Sequence, residues 1–475
     1  MDTVIVGGGL AGLAAANRLT QRGQRVTVLE AGTGDRYPCN SRIASGSFNL
    51  AHVDPTLDAV TLQNAIMADT EGAADPLLAD AVAQNAGPAM KWLMAEGGKF
   101  IRIKRGERAA SWSMAPPRPA TPGFGWEGRG PDLTLQTLTN NLRSRGGEIM
   151  LGARAQRLVI ENGRCVGVEA MRDGRTVECR ASATLLADGG FQGNPDLIRR
   201  FISPQPEALV SRNARTGRGD ALTMAEAAGA ALAGTDRFYG HLLVREALKN
   251  DKLWPYPTID SLASSAIVVD KSGRRFLDEG IGGVAMTNLI AGLDDPLSAT
   301  TIFDHPMWES TGRAEFTPPN PYVVSMGGTL TSAPTLAALA ATVGIPVDAL
   351  DNTVGTYNRA VESGDLVSLT PGRTPGRLFG VLRSAPTRTA IRPIKEPPFY
   401  AIRLAAGLTY TMGGIAIDPC TRVLSTNGAP IPGLYAAGAC TGGLEGGPMA
   451  GYVGGLCKAL TLGFIAGETI ATDVA

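Results

Sequence analysis

The sequence predicts an α/β protein in which a parallel sheet with a small antiparallel ribbon is interrupted by an inserted α+β domain. Three observations support this fold class. Residues 2–30 have the pattern of a β-α-β unit, residues 157–179 contain two hairpin turns, and the composition changes between residues 236 and 407. Each of these segments predicts particular elements.

The N-terminal unit begins with a buried apolar strand at residues 4–6. Residues 10–19 have helical apolar spacing and are rich in alanine, and residues 25–29 form the second strand, which ends at Glu30. Because a short helix joins two strands, the strands are expected to lie parallel in one sheet.

The ribbon is predicted from the turn pairs Asn162-Gly163 and Asp173-Gly174, which favour tight hairpins between residues 157 and 179. Residues 183–187 then return to a buried strand, which Asp188-Gly189-Gly190 closes. Residues 54–150 are expected to be mostly helical with loops.

Aromatic, proline and charged residues mix from about residue 236, with a hairpin expected over residues 265–276 and helices over residues 336–363. The glycine-rich pattern of the N-terminus resumes at residue 408. We therefore expect one domain to be formed by residues 1–235 and 408–475, with residues 236–407 inserted as a capping domain.

Composition narrows the class of protein. The 475 residues suit two or three domains, and 44% hydrophobic with 19% charged residues allows a large core. Lys and Arg balance Asp and Glu at 44 each, so neither nucleic acid nor an anionic membrane is an expected partner.

The six cysteines form no C-x-x-C pair, which excludes the usual iron–sulfur, zinc and c-type haem signatures and fits a reducing cytosol. With no signal-peptide pattern and no apolar run of about 18 residues, a cytoplasmic location without a membrane span is expected.

A dinucleotide site is predicted at Gly7-Gly8-Gly9-Leu10-Ala11-Gly12, a G-x-G-x-x-G between a strand and a helix. Its glycines allow the tight turn, the approach of a pyrophosphate and helix–strand packing. Glu30 ends the next strand, followed by Ala31, where a carboxylate can bind ribose hydroxyls and would repel a 2′-phosphate. The alternative, a glycine-rich turn with a surface Glu, is disfavoured by the spacing.

Two further segments favour FAD over NAD. Residues 40–49 are small and polar, as backbone lying against an isoalloxazine ring requires. Residues 432–438 precede a glycine run that leads into a helix, whose N-terminus could face the anionic edge of a reduced flavin. Each segment alone could be an ordinary loop.

Taken together, the chain resembles the flavoprotein family of fumarate reductase and succinate dehydrogenase, which includes soluble fumarate reductases, tricarballylate dehydrogenase and 3-ketosteroid dehydrogenases. The resemblance implies a Rossmann-like FAD-binding domain interrupted by a capping domain, with substrate held between cap and flavin. It rests on Gly7–Gly12 with Glu30, Asn40–Gly46, Leu186–Phe191, Gly219–Leu222 with Ala225-Glu226, Gly273–Glu279, Thr411–Gly414 and Gly433–Gly443.

The motif and the resemblance together give a set of predicted cofactor-binding residues. These are Gly7, Gly9, Leu10, Ala11, Gly12, Glu30, Ala31, Asn40, Ser41, Ser45, Gly46, Ala155, Ala187, Asp188, Gly189, Asp220, Gly438, Ala439, Gly454, Gly455 and Leu456. Covalent-flavin members of the family carry a histidine where Asn40 falls, so the resemblance implies non-covalent FAD. Asn40-Ser41-Arg42 is most similar to the tricarballylate dehydrogenase type.

Two catalytic candidates follow from the resemblance. His241 falls where the family has a substrate-binding histidine, and it could donate to a carboxylate or carbonyl oxygen. Tyr410 stands where fumarate reductases have a second substrate histidine, and a phenol there could polarise a substrate carbonyl. The alternatives are a core histidine and a half-buried strand tyrosine.

The chain also departs from fumarate reductases. Where these have an arginine acid it has residues 280–283, Gly-Ile-Gly-Gly, and where they have a carboxylate-binding arginine it has residues 448–452, Pro-Met-Ala-Gly-Tyr. A dicarboxylate would bind poorly without its arginines, so fumarate is not the expected substrate. Arg42, Arg245 and Tyr452 are candidate replacements, with ordinary surface or packing roles as the alternative.

These residues predict an FAD-dependent oxidoreductase acting on a CH–CH group of a small carboxylate or enone-like substrate. A hydride passes between flavin N5 and the carbon β to a carbonyl or carboxylate, and a proton moves at the α carbon. Because the sequence has no haem or cluster motif, a separate electron donor or acceptor is expected. The alternatives are a flavoprotein oxidase or monooxygenase, a flavin subunit that needs an electron-transfer partner, and a flavoprotein without activity.

Overall fold

The computed structural model of the chain describes residues 1–103, 111–119, 121–122, 125–314, 317–374 and 391–474. In the first half of the chain the elements are β1 Thr3–Val6, α1 Leu10–Gln21, β2 Val26–Glu30, α2 Asn40–Ile43, β3 Ser47–Phe48, α3 Ala59–Asp69, α4 Pro76–Ala95, β4 Phe100–Ile103, β5 Ser111–Met114, α5 Gly130–Ser144, β6 Glu148–Leu151, β7 Arg154–Glu161, β8 Arg164–Arg172, β9 Arg175–Arg180, β10 Ala183–Leu186, α6 Pro195–Phe201, β11 Val210–Ser211, α7 Asp220–Ala227 and β12 Leu232–Ala233.

The remaining elements belong mainly to the predicted cap and to the C-terminal return. They are β13 Phe238–Val244, α8 Asp260–Ser265, β14 Ile267–Val269, α9 Gly283–Ala291, β15 Thr300–Asp304, α10 His305–Glu309, α11 Pro319–Ser325, β16 Thr331–Ala333, α12 Leu336–Val343, α13 Val347–Ser363, β17 Phe399–Thr411, β18 Gly414–Ile415, β19 Arg422–Leu424, β20 Pro430–Ala436 and α14 Gly455–Asp473.

The first sheet has the strand order β19-β20-β10-β1-β2-β6. Strands β20, β10, β1, β2 and β6 run parallel to one another, and the edge strand β19 is antiparallel to β20. All four residues of β1 are buried, as expected for a parallel sheet covered on both faces. The predicted β-α-β unit and the strand at residues 183–187 are confirmed.

Helices α1 and α14 pack against each other over this sheet. A Cβ on Gly463 would lie 2.3 Å from the carbonyl oxygen of Ala11, so this close approach requires a glycine. The C-terminal helix is therefore fixed against the helix that follows the glycine-rich loop.

The antiparallel ribbon is confirmed as β7-β8-β9. Asn162 and Gly163 both have positive φ, as do Asp173 and Gly174, which is the backbone that tight hairpins need. Within its described residues, the segment 54–150 contains the helices α3, α4 and α5, as predicted, together with the short strands β4, β5 and β6.

The second sheet has the order β11-β17-β15-β14, with β13 and β16 also paired to β17. Its hydrophobic cluster contains most of the buried residues between 238 and 408 and also residues from Phe191 to Leu222. Helices α12 and α13 confirm the helical prediction for residues 336–363. The hairpin expected over residues 265–276 is shorter than expected, because α8 extends to Ser265 and a single bridge joins Val269 to Arg275.

Strand β17 runs through the second sheet and ends beside the first. Tyr239 of β13 pairs with Tyr410, whereas Gly240 pairs with Leu408, so Thr409 forms a bulge in β17. A bulged residue leaves its polar groups free of the ladder. Besides the two large hydrophobic clusters of the sheets, a small hydrophobic cluster around the end of β17 contains Tyr410, Met412 and Ala450.

Candidate active site

A cavity of about 1420 Å³ opens at the carboxyl ends of the parallel strands. Residues that follow β1, β2, β10 and β20 line one end, among them Gly7, Glu30, Asp188 and Gly438. Residues of β13 and β17 line the other end. Ligands of open parallel sheets bind at this edge, and this cavity is larger than the roughly 300–1000 Å³ of a typical small-molecule site.

The glycine-rich loop after β1 is shaped for a phosphate group. Gly7 has φ +102°, and a Cβ on Gly12 would lie 2.0 Å from the carbonyl oxygen of Gly7, so Gly12 allows the helix to approach the strand. By contrast, a Cβ on Gly9 would meet only the Ser41 hydroxyl, at 3.5 Å. Gly9 therefore leaves open space at the N-terminus of α1, where an anion is favoured.

Glu30 lies beside this loop at the end of β2. Its two carboxylate oxygens accept hydrogen bonds from the N–H groups of Gly8 at 2.9 Å and Gly32 at 2.7 Å. Burial raises the pKa of Glu30, and these two bonds oppose the rise. The carboxylate is held at the cavity wall, where it can accept hydrogen bonds from ribose hydroxyls.

Asp188 follows β10 next to Gly7. Its Oδ2 accepts from the Ala221 N–H at 2.9 Å, while Oδ1 is buried without a partner among the described residues. Burial raises the pKa of Asp188 to about 7. A neutral carboxyl here can donate to a phosphate or hydroxyl oxygen, so this orphaned atom fits a bound dinucleotide.

Asn40 and Ser41 connect the cofactor end of the cavity to the second sheet. The Asn40 amide donates to the Thr409 carbonyl at 2.9 Å and accepts from the Ala214 N–H at 2.9 Å. The Ser41 hydroxyl accepts from the Leu10 N–H at 3.1 Å. Both polar groups of Asn40 are thus already used within the protein.

Most of the predicted cofactor residues line this one cavity. Those that do so are Gly7, Gly9, Leu10, Ala11, Glu30, Ala31, Asn40, Ser41, Ser45, Ala155, Ala187, Asp188, Gly189, Asp220, Gly438, Ala439, Gly455 and Leu456. Gly12, Gly46 and Gly454 lie behind the wall, where they allow close packing against Gly7, Met114 and Asn49. Gly12 thus has the packing role expected of the third glycine of the motif, whereas Gly46 and Gly454 do not line the cavity and their cofactor contact stays a prediction.

The substrate end of the cavity contains a cluster of three phenols, of which Tyr410 is buried and Tyr239 and Tyr452 are partly buried. The rings of Tyr239 and Tyr452 stack with centroids 4.3 Å apart, and Tyr410 lies 5.6 Å from Tyr239. Burial raises the pKa of all three phenols well above the ordinary value. Each therefore stays protonated near neutral pH, and its hydrogen-bond partner decides what it can do.

Tyr239 is bonded to His241, the predicted substrate histidine. The Tyr239 hydroxyl lies 3.0 Å from Nε2 of His241, and Nδ1 of His241 bonds to Asp260 Oδ2. Asp260 also accepts from the Leu242 N–H at 2.8 Å. Because an ionised carboxylate can only accept, Nδ1 carries a proton, and in the neutral imidazole Nε2 then accepts from Tyr239.

Sequence reasoning identified His241 but missed Tyr239 and Asp260. Tyr239 and His241 are two residues apart on a strand, so they share a face, and this alternation was a usable signal. Asp260 had no such signal, because it is the first residue of a separate helix.

Tyr410 lines the cavity as expected, but its proton is directed away from it. The Tyr410 hydroxyl donates to Glu445 Oε1 at 2.7 Å, and Glu445 Oε2 lies 3.0 Å from Lys458 Nζ. Glu445 and Lys458 are 4% and 1% exposed, so the ion pair is buried behind the phenol. Tyr410 thus offers lone pairs to a ligand, not the donated proton that the sequence suggested.

Tyr452 has the opposite arrangement. Its hydroxyl oxygen accepts from the Gly455 N–H at 3.1 Å, which leaves its own proton for another acceptor. Gly455 begins α14, whose first turn faces the cavity with Leu456. The first N–H groups of a helix have no intrahelical acceptor, so this wall attracts electron-rich groups.

Two arginines proposed for the substrate lie elsewhere. Arg42 is fully buried, pairs with Asp132 at 2.6 Å and stacks over Tyr37, behind the cavity wall. Arg245 bonds to the Leu297 carbonyl oxygen and does not line the cavity. The structure therefore places both outside the substrate site, because neither residue lines the cavity.

A different arginine, Arg212, lines the cavity and was missed. Its Nη1 donates to the Thr409 hydroxyl at 2.7 Å and its Nε to the Pro255 carbonyl at 2.9 Å. The Tyr256 ring lies 5.1 Å from Arg212 and 4.3 Å from Arg118. These groups come from distant segments, so no local pattern in the sequence could reveal their meeting.

The comparisons with known proteins agree with this geometry. A family model described as FAD binding domain matches residues 2–451, and the chain belongs to this family. NADH:fumarate oxidoreductase of Klebsiella pneumoniae is 27% identical over 457 residues, which cover 95% of this chain and 45% of that relative. The chain thus spans less than half the length of that relative.

Two further proteins, one compared by sequence and one by structure, also match the chain. 4-Oxocyclohexanecarboxylate 2-dehydrogenase of Sinomonas cyclohexanicum is 28% identical over 369 residues, covering 73% of this chain and 62% of that protein. The structure of 3-ketosteroid delta1-dehydrogenase from Sterolibacterium denitrificans in complex with 1,4-androstadiene-3,17-dione matches with a TM-score of 0.77 and 19% identity over 99% of both chains. The predicted flavoprotein oxidoreductase family and α/β fold are therefore confirmed.

No helix within the described part of the chain is both long and apolar enough to cross a membrane. Within the same residues, no three His, Cys, Asp or Glu side chains are grouped as metal ligands.

Proposed function

We propose that this protein is an FAD-dependent oxidoreductase that acts on a C–C bond next to a carbonyl or carboxylate of a small substrate. The observation that carries the proposal is the Tyr239–His241–Asp260 array, whose Tyr239 and His241 line the same cavity as the dinucleotide loop. One cavity thus combines a cofactor cradle with a group that can move a proton. FAD, when bound, supplies the hydride acceptor or donor.

The chain's own residues fit FAD at the other end of this cavity. The open space over Gly9 and the N-terminus of α1 suit the pyrophosphate, and the Glu30 carboxylate suits ribose hydroxyls. The orphaned Oδ1 of Asp188 gains a partner if a polar group of the cofactor lies beside it. Non-covalent binding is part of the proposal, because covalent members of the resembled family carry a histidine at this position, whereas this chain has Asn40, whose amide is held by two internal hydrogen bonds.

Tyr239 acts as the acid or base at the substrate α carbon. In the oxidative direction its phenol oxygen takes the α proton while its own proton passes to Nε2 of His241. Asp260 then stabilises the imidazolium through its bond to Nδ1. In the reductive direction the same protons move back, so one array serves both directions.

Tyr452 polarises the substrate carbonyl. Its hydroxyl accepts from the Gly455 N–H and keeps its proton for an acceptor in the cavity. Negative charge that develops on a carbonyl oxygen during removal of the α proton is stabilised by such a donor. The stacked ring of Tyr239 brings donor and base side by side.

Fumarate is disfavoured as substrate by the residues at the two expected arginine positions. Gly283 and Met449 border a cavity of only about 20 Å³ next to Asp260, and no lysine or arginine is among its described lining residues. The relative from Sinomonas acts, by its name, on 4-oxocyclohexanecarboxylate. A cyclic or extended acid or ketone of that size suits a site walled by phenols.

The electron partner and the location belong to the proposal as well. Electrons would pass to or from a separate carrier. A cytoplasmic location is supported by the six cysteines, which are all free thiols.

The proposal is tested with purified, FAD-loaded protein. We expect yellow colour that acid precipitation releases to the supernatant, and reduction of 2-cyclohexenone or related enones and enoic acids by reduced viologen. The reverse reaction is assayed with 4-oxocyclohexanecarboxylate and an acceptor dye. Full FAD loading without turnover of any probe in either direction would overturn the proposed activity.

A further inference from the structure

Arg212 is a buried guanidinium at the wall of the substrate end of the cavity. It follows β11, and its own N–H donates to the Leu408 carbonyl at 2.9 Å, which fixes its backbone to β17. Only 6% of the residue is exposed. The side chain is held by the bulged Thr409 and by the Pro255 carbonyl, so it presents a fixed edge.

This guanidinium has no carboxylate partner among the described residues. Its two named contacts use Nε and one N–H of Nη1, and both acceptors are neutral. A buried cation is costly unless an anion pairs with it. By contrast Arg102 and Arg154, which line the same cavity, pair with Asp54 and Asp220 at 2.7 Å.

A second guanidinium strengthens the local positive charge. Arg118 lies over the Tyr256 ring, as does Arg212, so the two cations share one aromatic group. Burial and the Arg212 charge lower the pKa of Arg118 to about 10. Two cations brought this close repel each other, and an anion between or beside them relieves that cost.

Arg212 is also close to the proposed proton-transfer groups. Its charge lowers the pKa of Tyr239 against the larger effect of burial, and it bonds the residue that precedes Tyr410. An anion on Arg212 would thus lie within the same pocket as the three phenols.

We propose that Arg212, with Arg118 at the same Tyr256 ring, binds a carboxylate of the substrate and takes over the role of the absent family arginines. The inference rests on the proposed function and narrows it to substrates that carry one carboxylate besides the reacting carbonyl or double bond. The guanidinium edge gives a bidentate contact that a neutral analogue cannot form. The phenols remain for the reacting end of the molecule.

The test measures binding of matched probes to the FAD-loaded protein by the change in flavin absorbance. The probes are 4-oxocyclohexanecarboxylate and benzoate, each against its own carboxamide. We expect each acid to bind at least about tenfold more tightly than its amide, and Arg212→Gln to weaken the acids by roughly tenfold to a hundredfold. The amides should bind Arg212→Gln as they bind the unchanged protein.

Two variants serve as controls. Arg102→Gln removes a cavity arginine whose charge Asp54 already neutralises, and it should leave the preference for acids intact. Arg212→Lys keeps the positive charge without the bidentate donor edge of the guanidinium and should retain part of the preference for acids over amides. This variant also provides a test if Arg212→Gln does not fold.

The outcomes separate this inference from the proposed function. Equal binding of acids and amides, no binding of either acid, or loss of FAD from both Arg212 variants would each overturn the carboxylate site. Turnover of neutral 2-cyclohexenone without any preference for acids would leave the proposed function standing while the carboxylate site falls.

Discussion

Three tyrosines of the candidate active site differ only in their hydrogen-bond partners. Tyr239 donates to a histidine, Tyr410 donates to Glu445, and Tyr452 accepts from a helix N–H. A phenol has one proton to donate. Towards a ligand in the cavity, Tyr239 is therefore a proton relay to His241, Tyr410 is an acceptor and Tyr452 is a donor. The chemistry of the site is therefore defined by neighbours more than by residue type.

The first prediction concerns Tyr239. In Tyr239→Phe the ring and its stacking on Tyr452 stay, but the proton is lost, so kcat should fall by roughly 10²- to 10⁴-fold with little change in KM. Turnover of the best probe substrate gives the measurement. Tyr322→Phe, in α11 outside the cavity, should retain full activity, and a Tyr239→Phe enzyme with unchanged kcat would refute the relay.

The second prediction concerns pH. Burial raises the pKa of Asp188 to about 7 from 3.8. The folded protein holds this proton more tightly than the unfolded chain, so the neutral carboxyl's contribution to stability is present at low pH and falls as pH rises towards 7. Ionisation beside the phosphate loop should also weaken FAD binding by about tenfold between pH 6 and pH 8.

Fluorescence titration of FAD at several pH values measures this dependence. Asp188→Asn keeps the shape of the side chain without its ionisation, so its FAD affinity should be nearly constant over the same range. Asp173→Asn, in an exposed hairpin turn, should behave as the unchanged protein. A pH dependence that persists in Asp188→Asn would assign it to another group.

At residue scale the sequence revealed the cofactor end better than the substrate end. Gly7, Glu30 and Asp188 follow strands of a recognisable β-α-β pattern, so their meeting could be inferred. Arg212 meets Thr409 and Pro255 only after three separate segments assemble. Arg42 is the converse case. Its position in the chain suggested contact with the substrate, but it forms an ion pair with Asp132, which is distant in sequence.

At the scale of elements, glycines around the loop between β1 and α1 have two different roles, close packing and leaving space for a ligand. Gly12 is needed for packing, because its Cβ would clash with the Gly7 carbonyl, whereas Gly9 faces open space. The β-α-β unit was predictable because its strands and helix are adjacent in the chain. Strand β17 was not, because its partners lie up to about two hundred residues away and its bulge at Thr409 has no local signal.

The third prediction compares two alanine variants of this loop. Gly12→Ala should lower the free energy of unfolding by roughly 1–3 kcal/mol through overpacking and should lose FAD. Gly9→Ala should unfold like the unchanged apoprotein but bind FAD at least about tenfold more weakly, because its methyl group occupies the phosphate space. Thermal unfolding of apoprotein and FAD titration measure the two effects, and equal thermal stability of both variants would contradict the distinction.

At the scale of the whole molecule, two large hydrophobic clusters meet at one cavity. The first contains the parallel sheet and the second contains β17 and its partners. Because residues of both line the cavity, a ligand that fills it contacts both. The domain boundaries at residues 236 and 407 stay a prediction. Residues between Phe191 and Leu222, which precede the predicted cap, also pack in the second cluster.

The fourth prediction follows from this arrangement. FAD at about one hundred times its Kd should add about 2.7 kcal/mol to the free energy of unfolding. Hydrogen exchange should slow in β1 and β10 and also at the end of β17. AMP, which can fill only the nucleotide end, should protect the first region alone, and FAD protection confined to the first region would refute a cofactor shared by both clusters.

Asn40 has a consequence for attempts to tether the flavin. Its amide joins the Ala214 N–H to the Thr409 carbonyl, and an imidazole in its place has two ring nitrogens to replace both groups. A covalent bond from the imidazole to a carbon atom of the flavin would use one of those nitrogens. Either the Ala214 N–H or the Thr409 carbonyl would then lose its hydrogen-bond partner. Engineering a covalent flavoprotein from this chain therefore requires redesign of the Thr409 bulge or the Ala214 loop along with the histidine.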